Sequence, residues 1–178
     1  MNVIQTQRLI LRTWKEGDAD EYYHINQDPK VIEFLRGSLT LQEVQDFITF
    51  SNQQFDRLGY TLWAVEEIST GKLMGFIGLN SPPWDAHFTP CVEIGWRLGS
   101  EYWGKGYATE GAKAVLKYGF ETVGLKEIVS FTVPANARSI RVMEKIGMTR
   151  DLKGDFRHPK LPLDHKLSQH VLYRIQSS

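Results

Sequence analysis

Between positions 101 and 110 the chain reads Glu101-Tyr102-Trp103-Gly104-Lys105-Gly106-Tyr107-Ala108-Thr109-Glu110. Two glycines one residue apart stand here between segments of different period. Ahead of them, Cys91 to Leu98 is an apolar run with strand character, and its Gly95 suggests a bulge or a close backbone approach. Behind them, Ala108, Ala112, Val115, Leu116, Gly119 and Phe120 fall on one face of a helix predicted over residues 105–121. Glycines at such a junction let the backbone turn tightly and let a ligand approach the peptide N–H groups. The first turn of the helix adds N–H groups without internal partners and the positive end of the macrodipole. The combination is an anion site of the kind that holds phosphate.

Two common phosphate motifs do not match. The Walker pattern places Lys and Ser/Thr after its second glycine, whereas Lys105 sits between the glycines. The dinucleotide fingerprint needs a third small residue where Thr109 stands, and it opens a βαβ unit instead of following an antiparallel run. On spacing alone, a turn that only shapes the chain explains the glycines as well as a ligand does.

The rest of the chain places this junction inside one mixed sheet. Residues 1–13 read as an amphipathic strand centred on Arg8 to Arg12. Residues 18–27 read as a helix broken at Asp28-Pro29, because the residue before proline avoids helical geometry. Thr40-Leu41-Gln42-Glu43 is a capping box opening a helix through Val44, Phe47, Ile48 and Phe55, which Gly59 stops. Residues 61–68 and 72–79 flank Thr70-Gly71 as a hairpin. Residues 80–90, with Pro82, Pro83 and Pro90, form a loop before the run that ends at Leu98. After the junction helix come a strand at 127–133, a helix at 135–145 ended by Gly147, a polar loop at 151–166 and a last strand at 170–175. The order implies an α/β or α+β domain with one mixed sheet.

Composition narrows the function classes. The 178 residues suit one domain able to bury a core without staples. Twenty-one Lys plus Arg balance 21 Asp plus Glu, which argues against a nucleic-acid binder with its basic footprint. Cys91 is the only cysteine, so neither an internal disulfide nor a multi-thiolate metal site can form, and a reducing, cytoplasmic setting is expected. The opening segment lacks the pattern of a signal peptide, and no run approaches the roughly 18 apolar residues of a membrane span.

The segment from Trp103 to Glu110 resembles the acetyl-CoA signature of the GNAT superfamily of N-acetyltransferases, usually Arg/Gln-x-x-Gly-x-Gly/Ala. Gly106 and Ala108 hold its last two fixed positions, and Trp103 replaces the usual Arg or Gln, as in the ribosomal-protein-alanine N-acetyltransferase branch. Residues 136–148, Asn136-Ala137-Arg138-Ser139 onward, are similar to the later GNAT helix, and Thr6 to Arg12 to the branch's opening strand. The resemblance implies a single domain over 1–178 with the α+β GNAT fold: one mixed, mostly antiparallel sheet with a central splay and helices on both faces. It implies acetyl-CoA as cosubstrate and no metal. The arm would pair with the backbone of Trp96, Arg97 and Leu98, in a slot that a bulge at Gly95 helps open. The diphosphate would sit on the N–H groups of Trp103, Gly104, Lys105, Gly106, Tyr107, Ala108 and Thr109, with Lys105 adding charge or simply facing water. Asn136 matches a family asparagine that contacts the arm, and is also a favoured helix N-cap.

Direct attack of an amine on a thioester requires loss of a proton, because alkyl amines are mostly protonated at neutral pH. Glu93, among apolar neighbours on the strand before the loop, is the candidate base, since burial would raise its pKa. On this reading Glu93→Gln would lower turnover most at low pH. Many members place a tyrosine acid four residues after the position of Ser139, where this chain has Met143, so Ser139 is the alternative group near the thiol. Cys91 as an acyl-carrying nucleophile has no histidine marked to assist it. Trp84 and Phe88 in the Pro-rich loop, with His158, His165 and His170, are candidates to border the acceptor site. The expectation is an acetyl-CoA-dependent N-acetyltransferase acting on a primary amine, as a monomer or homodimer without nucleic-acid or membrane partners. The alternative is a module that binds acyl-CoA without turnover.

Overall fold

The computed structural model describes residues 1–177; Ser178, the end of the expected domain span, lies outside them. The strands are β1 (Asn2–Gln5), β2 (Leu9–Arg12), β3 (Leu62–Glu67), β4 (Leu73–Asn80), β5 (Glu93–Leu98), β6 (Glu127–Thr132), β7 (Thr149–Arg150), β8 (Phe156–Arg157) and β9 (Gln169–Gln176). The helices are α1 (Asp18–Ile25), α2 (Pro29–Ile32), α3 (Leu41–Leu58), α4 (Tyr107–Glu121) and α5 (Ala137–Lys145). The strand order is β1-β2-β3-β4-β5-β6-β9-β7, with β8 on β9. Every pairing is antiparallel except β5 with β6. The fold is therefore α+β with a mixed, mostly antiparallel sheet, as expected.

Helices cover both faces. On one, Ala112, Val115 and Leu116 of α4, Met143 of α5 and Ile146 just past its end are buried against Ile77, Leu79, Ile94, Ile128 and Tyr173. Each fully buried Val or Leu there contributes about 1.5–3 kcal/mol. On the other, Tyr22 of α1 and Val44 of α3 pack with Trp14, Ala64, Leu73 and Phe76. Helix α3 begins at the expected capping box, with Thr40 Oγ1 accepting from the Glu43 N–H at 3.2 Å and Glu43 accepting in return from the Thr40 N–H at 2.8 Å. It ends at Gly59 in left-handed conformation.

Three local readings change. Residues 1–13 form a β1–β2 hairpin rather than one strand. Asp28 does more than end α1. Its carboxylate accepts from the Lys30 N–H and caps α2, with Pro29 at the first helical position. Gly95 is not a bulge, because the β4–β5 register runs unbroken from Gly75↔Leu98 to Asn80↔Glu93. The irregularity falls at Gly75, where φ is 128° and an added Cβ would lie 2.0 Å from the Arg97 carbonyl oxygen.

The feature that positions the site is the junction of β5 and β6. Their ladder has a single registered pair, Glu93↔Val129, with the Val129 N–H donating to the Val92 carbonyl at 2.9 Å. One residue further, the Ser130 hydroxyl, not a backbone N–H, satisfies the Ile94 carbonyl at 2.9 Å. Beyond that the strands part.

Candidate active site

The glycine loop leads into α4 at the mouth of this opening. Gly106 is the N-cap, with φ of 82°, a conformation that costs a side-chain-bearing residue roughly 1–2 kcal/mol. The first intrahelical bond runs from the Glu110 N–H to the Gly106 carbonyl, so the N–H groups of Tyr107, Ala108 and Thr109 precede it. This is an anion-binding geometry without a dedicated side chain.

The loop is clamped to the opening hairpin. Glu110 accepts from the Thr6 hydroxyl at 2.6 Å, the Arg8 N–H at 2.9 Å and Arg8 Nε at 2.7 Å. Arg8 also donates to the Lys105 carbonyl at 3.0 Å and lies 4.2 Å over the Tyr107 ring, whose hydroxyl donates to Glu67. Partial burial alone would raise the Glu110 pKa, but the donors from Thr6 and Arg8 hold it below its ordinary value. Thr6, Arg8 and Glu110 all lay inside motifs visible in the sequence. Their mutual contact did not, because 102 residues separate Arg8 from Glu110.

A cleft of about 650 Å³ runs from this loop between the parted strands, within the usual size of small-molecule sites, roughly 300–1,000 Å³. Trp96, Arg97 and Leu98 line it along β5, and Trp103, Gly104, Gly106, Tyr107, Ala108 and Thr109 line its loop end. Asn136 at the start of α5 and Ser139 and Met143 within it line it too. Lys105 is exposed and is not among the lining residues. The Arg97 guanidinium donates to Asn26 Oδ1 at 2.6 Å and Tyr22 Oη at 3.3 Å, tying β5 to α1. Trp103 Nε1 donates to the Leu98 carbonyl at 2.9 Å, anchoring the loop start. Asn136 caps α5: Oδ1 accepts from the Ser139 N–H at 3.3 Å, while Nδ2 donates to Ser139 Oγ at 3.1 Å. Met143 is buried and offers no proton at the position where a tyrosine was looked for.

Glu93 lines the cleft at the rung where the strands separate. It is half-buried as a residue, yet the protein around its carboxyl is dense enough that desolvation pushes its pKa from 4.5 up to about 7. Asn80 Nδ2 donates to Glu93 Oε1 at 3.2 Å, a neutral partner that offsets only part of this rise.

Burial pushes the Cys91 thiol up to about 11, with the Glu93 charge adding to the effect, so it is a poor nucleophile. His87 contacts the Gly154 carbonyl at 3.2 Å, and His165 Nδ1 accepts from the Leu167 N–H at 3.1 Å; neither lines the cleft. His158 and His170 do line it, with Phe131. Trp84 and Phe88 stand behind Phe131, at ring distances of 5.5 and 5.9 Å.

Residues after α1 complete the opposite wall: Lys30, Val31, Phe34 and Leu35. Sequence reading missed them because a four-residue helix carries too little periodicity to mark, although Asp28-Pro29 was its start signal. This wall meets α5 where Arg138 donates to Glu33 at 2.9 Å and lies 4.3 Å over the Trp103 ring.

The family model described as "Acetyltransferase (GNAT) domain" matches residues 8–149. The chain is 31% identical over 144 residues to YkkB of Bacillus subtilis, an uncharacterised protein, covering 80% of this chain and 83% of the relative. It superposes on a GNAT-family acetyltransferase from Bacillus anthracis with TM-score 0.78 and 30% identity, covering 97% of both chains. RimL, a ribosomal L7/L12 α-N-protein acetyltransferase solved with coenzyme A, shares the fold at TM-score 0.79 over 99% of this chain and 98% of its own, at 14% identity. A split sheet with a glycine-capped helix at its opening is thus the frame of an acyltransferase. The chain belongs to the GNAT acetyltransferase family.

Proposed function

We propose that this enzyme moves acetyl from acetyl-CoA to a primary amine, on a protein N-terminus or a small molecule, by direct attack. The observation that carries the reading is Glu93, with its pKa raised to about 7, at the rung where β5 and β6 part. A base of that pKa holds a usable fraction of carboxylate at neutral pH and remains basic enough to take the amine's proton.

The residues fit the cosubstrate in two places. Past Glu93 the side of β5 that faces β6 has no ladder partner among the described residues, so the backbone of Trp96 and Leu98 can pair with the amides of an extended arm, while the Arg97 backbone turns to β4. The N–H groups from Gly104 to Thr109, with the α4 dipole behind them, suit a diphosphate. Acetyl-CoA supplies the activated thioester. Glu93 accepts the amine's proton, Asn136 and Ser139 orient the arm near the sulfur, and Arg8 with Glu110 holds the loop in place. A thiolate leaving group needs no strong acid, in keeping with Met143. The 178 residues act as one domain, and a reducing, cytoplasmic setting suits the single thiol.

Met143 also favours one other reading, a module that binds acyl-CoA without turnover. Calorimetric titration with acetyl-CoA and a thiol-release assay over a panel of amines decide between them. Binding with release supports transfer; binding with no release for any amine supports the module.

A further inference from the structure

We infer that the acceptor end of the cleft takes a small monoamine carried on an aromatic body and bearing an anionic group, such as an aromatic α-amino acid, and disfavours polyamines. This rests on the reading of Glu93 as the group that receives the amine. Along the sheet, Glu93 pairs with Val129, and Phe131 follows two residues on, opposite Leu172 of β9. Alternation therefore puts Glu93, Phe131 and His170 on one face. His158 from β8's end joins them, with ring centroids 5.2 Å from His170 and 6.4 Å from Phe131. Phe156 supports His170 from behind at 5.5 Å. Val31, Phe34 and Leu35 form the facing wall. A wall of stacked rings opposite an apolar one suits an aromatic ring.

The hydrogen bonds fix which nitrogen of each imidazole is free. His170 Nδ1 contacts the Ser168 carbonyl at 3.1 Å and so must donate, leaving Nε2 an acceptor. His158 Nδ1 accepts from the Lys160 N–H at 3.3 Å, leaving Nε2–H a donor. Both rings are neutral at pH 7, because burial pushes His158 down to about 4 and lowers His170. The wall thus offers one donor and no charge of its own.

Charge decides the rest. Among the described residues Glu93 is the only acidic side chain lining the cleft, so a second ammonium would meet no carboxylate. The charges of Arg36 and Lys160 reach His158. Neither of these two has an ion-pair partner among the described residues. A carboxylate on the acceptor would meet these cations and the His158 donor while its amine meets Glu93.

The test uses the full chain saturated with coenzyme A for binding, and with acetyl-CoA for thiol release. Phenylalanine, phenylalaninamide, alanine and spermidine are titrated. Phenylalanine is expected to bind about tenfold more tightly than each of the others, since each lacks the ring, the anion or both. His158→Phe is expected to erase the preference for phenylalanine over its amide, and His158→Gln, which keeps an N–H donor, to retain it. Equal or tighter binding of spermidine or alanine, or an unchanged preference in His158→Phe, overturns the inference. Phenylalanine bound without thiol release would support the inference and defeat the transfer reading. Thiol release without preference for phenylalanine would do the reverse.

Discussion

Asn80 and Glu93 stand opposite each other on β4 and β5, and the Asn80 amide donates to Glu93 Oε1 at 3.2 Å. A cation in that place would pull the carboxyl back toward its ordinary value. A neutral amide orients it and leaves most of the desolvation effect standing, which is the ground for proposing this half-buried strand glutamate as the base.

That value reverses the pH dependence anticipated from sequence. Below pH 7 wild-type Glu93 already carries its proton, so Glu93→Gln has little left to remove there. The loss is expected to be largest, roughly 100-fold in kcat/KM, at and just above pH 7, and to shrink in acid. Rate profiles of both proteins check this, and a deficit that grows as pH falls would exclude Glu93 as base.

The same substitution is expected to stabilise the protein without ligand. Between the ordinary 4.5 and the folded value of about 7, the native state binds more protons than the unfolded chain, so stability falls as pH rises through that window. Glutamine removes the titration. Urea unfolding should show Glu93→Gln more stable by about 1–3 kcal/mol near pH 8, with the gap closing toward pH 5.

Gly106→Val places a β-branched side chain at φ of 82°, at the cap of α4. The expected outcome is a folded protein weakened by about 1–2 kcal/mol whose acetyl-CoA binding is lost in calorimetry. Wild-type affinity would remove the loop from the cosubstrate's site.

Glu110→Ala leaves the Thr6 hydroxyl and two Arg8 donors without their acceptor. Arg8 is 40% exposed, so solvent screens part of the ion pair. A loss of about 1–2 kcal/mol is expected, with a weaker hold on acetyl-CoA as the loop loosens. Because the Glu110 pKa is depressed, its contribution is present at neutral pH and lost as pH falls through the folded value. Thermal unfolding should therefore show wild type and variant converging in acid.

Asn136→Ala is expected to cost about 1 kcal/mol through loss of the α5 cap and also to raise the KM for acetyl-CoA. Ser139→Ala keeps the cap, whose acceptor is Asn136 Oδ1, and is expected to lower turnover with binding little changed. Unfolding curves beside kinetics separate the two; wild-type turnover in Ser139→Ala would leave that hydroxyl a scaffold element.

Most of the scaffold was legible because it obeys short-range rules. The Thr40–Glu43 capping box, the Thr70-Gly71 hairpin turn and the 3.6-residue period of α4 each need only a dozen residues to announce themselves. Glu93, Asn136, Ser139 and the glycine loop were legible as candidates, through their place between recognisable elements. Two kinds of feature were not. The Arg8–Glu110 clamp depends on a contact between the turn of the first hairpin and the fourth helix, which no local pattern encodes. The wall from Lys30 to Leu35 and the pairing of His158 with His170 come from short or irregular segments, where tertiary packing outweighs propensity. Gly95 was misjudged for a related reason: a glycine in a strand signals an irregularity without saying which strand pair bears it.

The one-rung junction of β5 and β6 has a cost of its own. It leaves bare backbone donors and acceptors in the middle of a sheet, the kind of edge that invites a stray strand from another molecule. Arg141 and Lys145 of α5 and Lys30 border the cleft with like charge, beside the Arg138–Glu33 pair. Charged side chains beside an open sheet edge are one of the ways in which proteins keep such an edge from pairing with a second chain.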